Sequence, residues 1–248
     1  MKIIIPEHIG IILDGNRRWA QERNLDTFRG HQAGFNNLKK VANHAFQKGV
    51  KILTVFAFST ENWKRTKREV NYLMNLVRIF VEEEIIELKK RGVQLRILGE
   101  IDKFDKKLKE GIIKATKLTK DGKKGTLNVC LNYGGREELL IAIKNIIKAK
   151  VPQNKINDKL INKYLYTKNQ IDPELIIRTS GELRLSGFLT WQGVYSELYF
   201  TQKHWPDFKN KDLDKAILEY PDIKNFPDIK SKNFLLNNFG LDNLNIFE

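Results

Sequence analysis

The segment Asp14-Gly15-Asn16-Arg17-Arg18-Trp19 directly follows the apolar run Ile9 to Leu13. An apolar run that ends in Asp-Gly-Asn reads as a buried strand breaking into a turn. The residues from there through Arg23 contain no helix breaker, so a helix can start at once. Strand-to-helix turns of α/β chains are where ligands bind. This turn offers a carboxylate, two arginines and the unpaired amides of a helix start, a set that suits a magnesium ion and a phosphate group together. It equally suits a capped helix start with solvated arginines, and the motif alone leaves both readings open.

Three more polar clusters sit at the ends of strand-like runs. Ser59-Thr60-Glu61-Asn62-Trp63, with Arg65, follows Lys51 to Phe58. The stretch from Arg178 to Ser186 contains Glu182, Arg184 and Leu185. Its arginines are planar, permanently charged forks and Ser186 is a hydroxyl donor, the composition of a diphosphate site. The same arginines could instead be surface ion-pair partners of Glu182. Glu197 lies between Ser196 and Leu198 in an otherwise apolar stretch, where a carboxylate needs a partner. A metal shared with Asp14 would supply one, and so would an internal arginine. Trp19 and Trp63 read as packing residues as readily as site residues. His31, just ahead of a helix expected from Ala33, could donate to an anion or cap the helix. His8, His44 and His204 carry no site signal.

These clusters must be positioned by alternating strands and helices. Strands are expected at His8 to Leu13, Lys51 to Phe58, Val93 to Leu98, Thr126 to Leu131, Leu175 to Ile177 and within Thr190 to Tyr199. Ala33 to Lys48 reads as an amphipathic helix stopped by Gly49. Thr66 and Glu69 form a capping box ahead of one long helix to Arg91. Its stripe of Val70, Leu73, Val77, Phe80, Val81, Ile85 and Leu88 is either core or the lining of a long apolar cavity. Further helices are expected at Asp105 to Thr119, from Arg136 to about Lys148, near Asp158 to Leu165, and at Lys211 to Tyr220. The fold class is therefore α/β: a single domain with an open, mostly parallel central sheet flanked by helices. In a parallel sheet the carboxyl ends of the strands share one edge, so the four clusters can converge on one crevice. The tail from Pro221 is Asn-rich and reads as loosely packed.

Composition narrows the class. The 248 residues are 30% charged and 41% hydrophobic, which suits a globular chain with a substantial core. No run approaches the ~18 apolar residues of a transmembrane helix, and the segment Met1 to Pro6 is too short for a secretory signal. The single cysteine, Cys130, reads as a buried, reduced strand residue, which fits a cytoplasmic protein. One cysteine and four histidines give no zinc spacing. The net charge of +14 attracts anions: nucleic acid, anionic lipid or phosphorylated small molecules. Much of it is lysine between Lys103 and Lys124, which also reads as a solvated helix face. No nucleic-acid-binding motif or stacking array is present.

Taken in order, Asp14-Gly-Asn-x-Arg18-Trp19, Gly30-His31, Phe58-Ser-Thr-Glu-Asn-Trp63 with Arg65, Asn132-Tyr-Gly-Gly-Arg136, Arg178 to Ser186 and Glu197-Leu-Tyr-Phe200 resemble the cis-prenyltransferases, most closely the bacterial undecaprenyl diphosphate synthases. The collinear match runs from about Ile9 to Pro206. No Asp-Asp-x-x-Asp motif occurs, unlike the trans-prenyl synthases. The resemblance implies successive addition of isopentenyl diphosphate to an allylic diphosphate, usually farnesyl diphosphate, to form cis double bonds. It implies a homodimer, magnesium as cofactor, and an apolar tunnel between sheet and helices that holds the growing chain. The product would be a polyprenyl diphosphate such as undecaprenyl diphosphate, precursor of the lipid carrier of cell-wall synthesis. It would leave into a membrane, implying peripheral contact with the inner membrane surface. The alternative is the non-catalytic partner subunit that some relatives have become, but those lack the Asp-Gly-Asn-x-Arg-Trp segment that is intact here.

By the same resemblance, Asp14 holds magnesium and assists departure of the allylic diphosphate, with Glu197 a second magnesium ligand. Gly15, Asn16, Arg17, Arg18 and His31 cradle the allylic diphosphate, next to Trp19. Arg178, Arg184, Leu185 and Ser186 form the isopentenyl diphosphate site. Ser59, Thr60, Glu61, Trp63 and Arg65 belong to a mobile loop over the substrates. Asn62 stands at the family's proton-acceptor position, yet a neutral amide is a very weak base. It is better suited to position a diphosphate oxygen or a water. The chain departs from the family at Thr27, where an arginine is usual and Arg29 stands two residues on, at Gly187 in place of asparagine, and in the tail Asn237 to Leu241, which lacks the usual arginines.

Overall fold

The computed structural model describes residues 4–224. Six strands form one sheet in the order β3-β4-β2-β1-β5-β6, and every pairing is parallel. The strands are β1 (His8–Ile12), β2 (Ile52–Ser59), β3 (Val93–Leu98), β4 (Gly125–Tyr133), β5 (Leu175–Arg178) and β6 (Glu197–Phe200). Strand β1 is buried at every position, as its unbroken apolar run requires of a strand covered on both faces. The strand expected within Thr190 to Tyr199 is confined to its last residues, because the chain from Phe188 to Tyr195 folds as turns.

The helices are α1 (Asn16–Gln21), α2 (Thr27–Lys48), α3 (Lys67–Ile79), α4 (Ile85–Lys90), α5 (Lys106–Thr119), α6 (Gly135–Lys148), α7 (Asp158–Tyr164) and α8 (Asn210–Lys224). Helix α2 starts earlier than expected, because the Asp26 carboxylate caps it by accepting the Phe28 N–H. His31 therefore lies inside the helix, not ahead of it. Gly49 ends α2 in the left-handed conformation at φ 103°. The long helix expected from Thr66 to Arg91 is interrupted: a π turn over Phe80–Glu84 joins α3 to α4. The extra residue per turn keeps Phe80, Val81 and Ile85 in the core while Glu82 and Glu83 face solvent. Helix α8 runs past Tyr220 to Lys224, and the rest of the Asn-rich tail lies outside the described residues.

The main core lies between the sheet and helices α2, α3, α5 and α8, and includes Ile9, Ile11, Leu53, Val55, Val41, Leu108, Leu213 and Trp205. Each such side chain contributes roughly 1.5–3 kcal/mol on burial. Ile12, Leu98, Cys130, Tyr133, Phe188 and Leu189 form a smaller cluster. Four of the five lysines of α5 are exposed, as a solvated face would be, and the half-buried Lys109 pairs with Asp102. No helix among the described residues is long and apolar enough to cross a membrane.

Candidate active site

Strand β1 ends at Ile12, and the Asp14 N–H turns back to the Ile12 carbonyl at 2.9 Å. Gly15 follows at φ 105°. A Cβ there would stand 2.6 Å from the Ser180 Oγ and 2.7 Å from the His204 Nδ1, so only glycine makes this turn. The Asp14 carbonyl accepts from the Thr179 hydroxyl at 2.7 Å and from the Trp205 N–H at 2.9 Å. Behind the turn, Ser180 Oγ is 2.6 Å from His204 Nδ1, and His204 Nε2 is 2.7 Å from Glu22 Oε1. The turn is thus pinned from β5 and from the segment before α8. Helices α1 and α2 meet closely at Gly34, where a Cβ would lie 2.3 Å from the Asn16 Oδ1.

The Asp14 carboxylate meets the third cluster. Its Oδ2 accepts from Arg178 Nη2 at 2.8 Å and pairs with Arg18 Nη2 at 3.2 Å, while Oδ1 accepts no hydrogen bond among the described residues. The Arg178 side chain is only 6% exposed. Its Nη1 donates to Ser186 Oγ at 2.9 Å and to the Arg184 carbonyl. Ser180 and Ser186 hold positive φ at 78° and 50°. Such strain, roughly 1–3 kcal/mol per residue, persists where the surroundings enforce it, often at functional sites. Arg18 also donates to the Ser180 carbonyl at 3.1 Å and to Glu182 at 3.0 Å. Glu182 binds Arg184 as well, and these arginines, Arg184 foremost, hold its carboxyl below the usual range. The ion-pair reading of this cluster is therefore realised for Arg184, which is 62% exposed, but not for Arg178.

The opposite wall is built on Glu69, read from sequence as half of a capping box. Thr66 does accept the Glu69 N–H at 3.3 Å, but the carboxylate turns to the site. Its Oε1 is 2.9 Å from both His31 Nε2 and Arg65 Nη1, and 3.9 Å from Arg17 Nε. Burial pushes the Glu69 carboxyl up, but the His31 hydrogen bond and the charges of Arg65 and Arg17 outweigh it and hold it below the usual range. Burial lowers the His31 pKa below 6.5 against the pull of Glu69. A neutral His31 donates Nε2–H to Glu69, which leaves Nδ1 an acceptor.

A cavity of about 450 Å³ joins these walls. It is lined by Asp14, Gly15, Asn16, Arg17 and Arg18 from the first cluster, His31, then Ser59, Asn62 and Arg65, and finally Arg178 and Ser186. Four arginines thus face a space with one lining carboxylate, Asp14. The Asn16 Oδ1 and Arg178 Nε are buried without partners, and such orphans are rare enough to mark a ligand site. Asn62 Oδ1 accepts the Ser59 N–H at 3.0 Å, which leaves its amide N–H groups to donate.

Other expected residues stand outside this cavity. Trp19 lies in α1 under the Arg23 guanidinium, 4.6 Å from its ring, with its own Nε1 buried and unpartnered. Trp63 packs on Phe58 and Phe104 and donates to Asn132 Oδ1 at 2.7 Å. Thr60 abuts Gly134. Glu61 and Leu185 line an adjoining cleft of about 710 Å³, which shares Phe56, Ser59 and Ser186 with the main cavity.

Two expectations have no counterpart within one chain. Glu197 opens β6 at the register of Leu175, whereas Asp14 lies beyond Ile12, whose register partner is Arg178. Three strand residues, roughly 10 Å, separate those levels before the Asp14 turn begins. Within one chain the two carboxylates therefore stand toward opposite edges of the sheet. No cluster of three or more histidine, cysteine or acidic groups arranged for a metal occurs among the described residues. The apolar tunnel is likewise not seen as one channel. Between α2 and α3 lies an apolar cavity of about 100 Å³, bounded by Phe35, Leu38, Leu76, Val77 and Phe80. It shares Leu13, Asn16, His31, Ala57 and Leu73 with the polar cavity. A water takes about 30 Å³, so this space is far too small for a long polyprenyl chain. Apolar side chains fill the rest, with Phe35 and Phe80 in edge contact at 6.5 Å.

The chain is similar to known proteins over most of its length. The prenyltransferase family model described as undecaprenyl diphosphate synthase matches residues 12–225. The chain is 47% identical over 220 residues to the isoprenyl transferase of Clostridium perfringens, covering 87% of each chain. It is 48% identical over 224 residues to that of Streptococcus pneumoniae, covering 87% of this chain and 89% of the relative. Among solved structures, lavandulyl diphosphate synthase from Lavandula x intermedia in complex with dimethylallyl diphosphate superposes with a TM-score of 0.84 at 33% identity, over 87% of this chain and 95% of that one. A probable undecaprenyl diphosphate synthase from Campylobacter jejuni superposes with a TM-score of 0.74 at 28% identity, over 88% and 95%. With the Asp14 turn, the buried Arg178 and the flanking apolar cavity already in place, the chain belongs to the undecaprenyl diphosphate synthase family of prenyltransferases.

Proposed function

We propose that this prenyltransferase condenses isopentenyl diphosphate units onto an allylic diphosphate, farnesyl diphosphate foremost, to make a long-chain cis-polyprenyl diphosphate such as undecaprenyl diphosphate. The observation that carries the reading is the junction of an arginine-lined cavity with an apolar one through shared walls. A substrate that is a diphosphate at one end and a hydrocarbon at the other matches that junction. Nothing in the comparisons favours a non-catalytic partner subunit.

The residues divide the work. Asn16, Arg17, Arg18 and His31 bind the allylic diphosphate, and Arg178, Arg184 and Ser186 bind that of isopentenyl diphosphate. Breaking the allylic C–O bond concentrates negative charge on the departing diphosphate, and fixed arginines aimed at that charge lower the barrier. Asp14 stands between the two anion sites with one oxygen uncommitted. A single carboxylate supplemented by substrate phosphates is a donor set that magnesium accepts, so Asp14 would hold the ion, which would supply charge neutralisation at the leaving group. Asn62 donates to a diphosphate oxygen or to a water that takes the proton released as the new double bond forms. Each added CH₂ that is buried contributes about 0.8 kcal/mol, so elongation drives the chain between α2 and α3, toward Leu38 and Phe80.

A homodimer is supported by the stripe Leu140, Ile143 and Ile147 on α6, which is 56%, 50% and 70% exposed. The basic surface supports a cytoplasmic protein in peripheral contact with the inner membrane. The test is incubation with farnesyl diphosphate, labelled isopentenyl diphosphate and magnesium, with a chelator control. A long cis-polyprenyl diphosphate that vanishes with chelator is the expected result. A folded protein that makes no product overturns the reading.

A further inference from the structure

Ser180, His204 and Glu22 form a line of side chains behind the Asp14 turn, outside both proposed anion sites. His204 Nδ1 lies 2.6 Å from Ser180 Oγ, and His204 Nε2 lies 2.7 Å from Glu22 Oε1. An ionised carboxylate only accepts, so Nε2 carries a hydrogen, and in the neutral ring Nδ1 then accepts the Ser180 hydroxyl proton. A serine, a histidine and a carboxylate in that order have the composition of a nucleophilic triad. Ser180, however, is 5% exposed and lines neither the main cavity nor the adjoining cleft, so its oxygen has no space for a reacting group.

The line closes into a ring instead. The Ser180 carbonyl accepts from Arg18 Nη1 at 3.1 Å, and the Glu22 N–H donates to the Arg18 carbonyl at 2.9 Å, one helical turn on. Arg18, Ser180, His204 and Glu22 therefore run in a ring beside Gly15, where Ser180 and His204 leave no room for a Cβ. The ring is anchored from outside. The Ser180 N–H donates to the Lys203 carbonyl at 2.8 Å, and His204 precedes the fully buried Trp205. The second oxygen of Glu22 stands 3.7 Å from Arg23, which reaches Asp207 at 2.9 Å. Ser180 holds φ 78°, a conformation that residues with a Cβ rarely adopt. The His204 bond to its hydroxyl is one of the contacts that enforce this conformation, and the conformation aims the carbonyl at Arg18. Arg178 stands outside the ring, with Asp14, Ser186 and the Arg184 carbonyl as its partners.

We infer that His204 is a positioning residue of the reaction: through Ser180 it fixes the Arg18 guanidinium for the allylic diphosphate and leaves the isopentenyl side untouched. A guanidinium fork already held in place loses less freedom when it takes up a diphosphate. The inference rests on the proposed assignment of Arg18 to the allylic diphosphate.

Calorimetric binding of farnesyl diphosphate to the full chain tests it without turnover. His204→Phe keeps a ring and removes both hydrogen bonds, and should weaken binding roughly fivefold, the scale of one hydrogen bond. His204→Asn, whose amide oxygen can accept the Ser180 hydroxyl, should recover most of that loss. Glu22→Leu changes an exposed side chain and should weaken binding by less, in the same direction. In an Arg18→Ala background the His204→Phe effect should shrink below about twofold, because the route to the ligand is already cut. A histidine that only supported the fold would cost the same in both backgrounds. In steady state the KM for farnesyl diphosphate should rise while that for isopentenyl diphosphate stays at the parent's. If His204→Phe does not fold, Glu22→Leu is carried through the same cycle. Parental binding by the folded variants, an undiminished loss in the Arg18→Ala background, or an equal rise in both KM values overturns the inference alone. A parent that does not bind farnesyl diphosphate overturns the substrate assignment, and the inference with it.

Discussion

Arg178 and Asp14 are 164 residues apart and meet at 2.8 Å, the arginine almost wholly buried and the carboxylate partly open to the cavity. The pair joins the two proposed anion sites, since Arg178 also holds Ser186. From sequence, Arg178 is a contact for isopentenyl diphosphate alone. Arg178→Ala should therefore do more than raise the KM for isopentenyl diphosphate by the tenfold or more that a charge-assisted hydrogen bond of roughly 1.5–3 kcal/mol implies. It should also lower kcat, because Asp14 loses the group that orients it. Steady-state kinetics with each substrate varied in turn separate the effects, and an unchanged kcat would refute the coupling.

Asp14→Asn keeps the size of the side chain and removes the charge facing Arg178 and Arg18. The main-chain bonds from Thr179 and Trp205 remain, so the turn should survive. Turnover should fall at least roughly a hundredfold, the scale of losing one preorganised electrostatic group. Thermal unfolding should stay near the parent's. Near-normal turnover in a folded variant removes Asp14 from the chemistry.

The sheet was legible because its strands are short, largely apolar segments bounded by polar turns, and a parallel sheet carries their ends to one edge. Asp14, Arg18, Arg178 and Ser186 converge for that reason. Glu197 stands away from Asp14 because strand-end logic needs the strand's start: its sequence neighbours do not say that β6 begins, rather than ends, at Glu197. Glu69 was read as a cap because Thr66 lies three residues before it. Its spacing from Arg65 is the i,i+4 of a helical ion pair, yet nothing local brings in His31 from α2. The pinning of Gly15 by Ser180 and His204 is also invisible in sequence, since it depends on close packing between distant segments. The π turn at Phe80 escaped because apolar spacing tolerates one extra residue.

His31, as a proposed contact of the allylic diphosphate, should make its binding sensitive to pH. Its Nε2–H is committed to Glu69 and burial keeps the ring neutral at neutral pH. A diphosphate at Nδ1 favours the protonated ring, so binding the allylic diphosphate should take up a proton. Titration calorimetry in buffers of differing ionisation enthalpy should show that uptake at neutral pH, and His31→Gln should abolish it. Equal proton uptake by parent and variant would refute the assignment.

His8 makes stability sensitive to pH. It is fully buried, with Nδ1–H donating to the Ile171 carbonyl at 2.7 Å and Nε2 accepting from Thr54 at 2.7 Å. Burial lowers its pKa to about 4 from 6.5. The unfolded chain therefore binds the proton first as pH falls. The stabilising effect is complete above pH 6.5 and declines toward pH 4, by about 3 kcal/mol in all. Urea midpoints from pH 7.5 to 4.5 should fall more steeply for the parent than for His8→Gln. Parallel slopes would show that His8 does not titrate on unfolding.

Phe80 separates the 100 Å³ cavity beside the site from the 380 Å³ cavity beyond it, sharing that wall with Leu38. It begins the π turn, so its place depends on the break between α3 and α4. A growing chain that leaves the diphosphate site meets this wall before it can use the second cavity. Phe80→Ala should merge the two spaces and shift the products toward longer chains, at about 3–5 kcal/mol in stability. Phe80→Leu removes less volume, costs less, and should shift the distribution in the same direction by a smaller step. Chromatography of labelled products reads both. Parental chain lengths from both folded variants would show that the wall does not limit elongation.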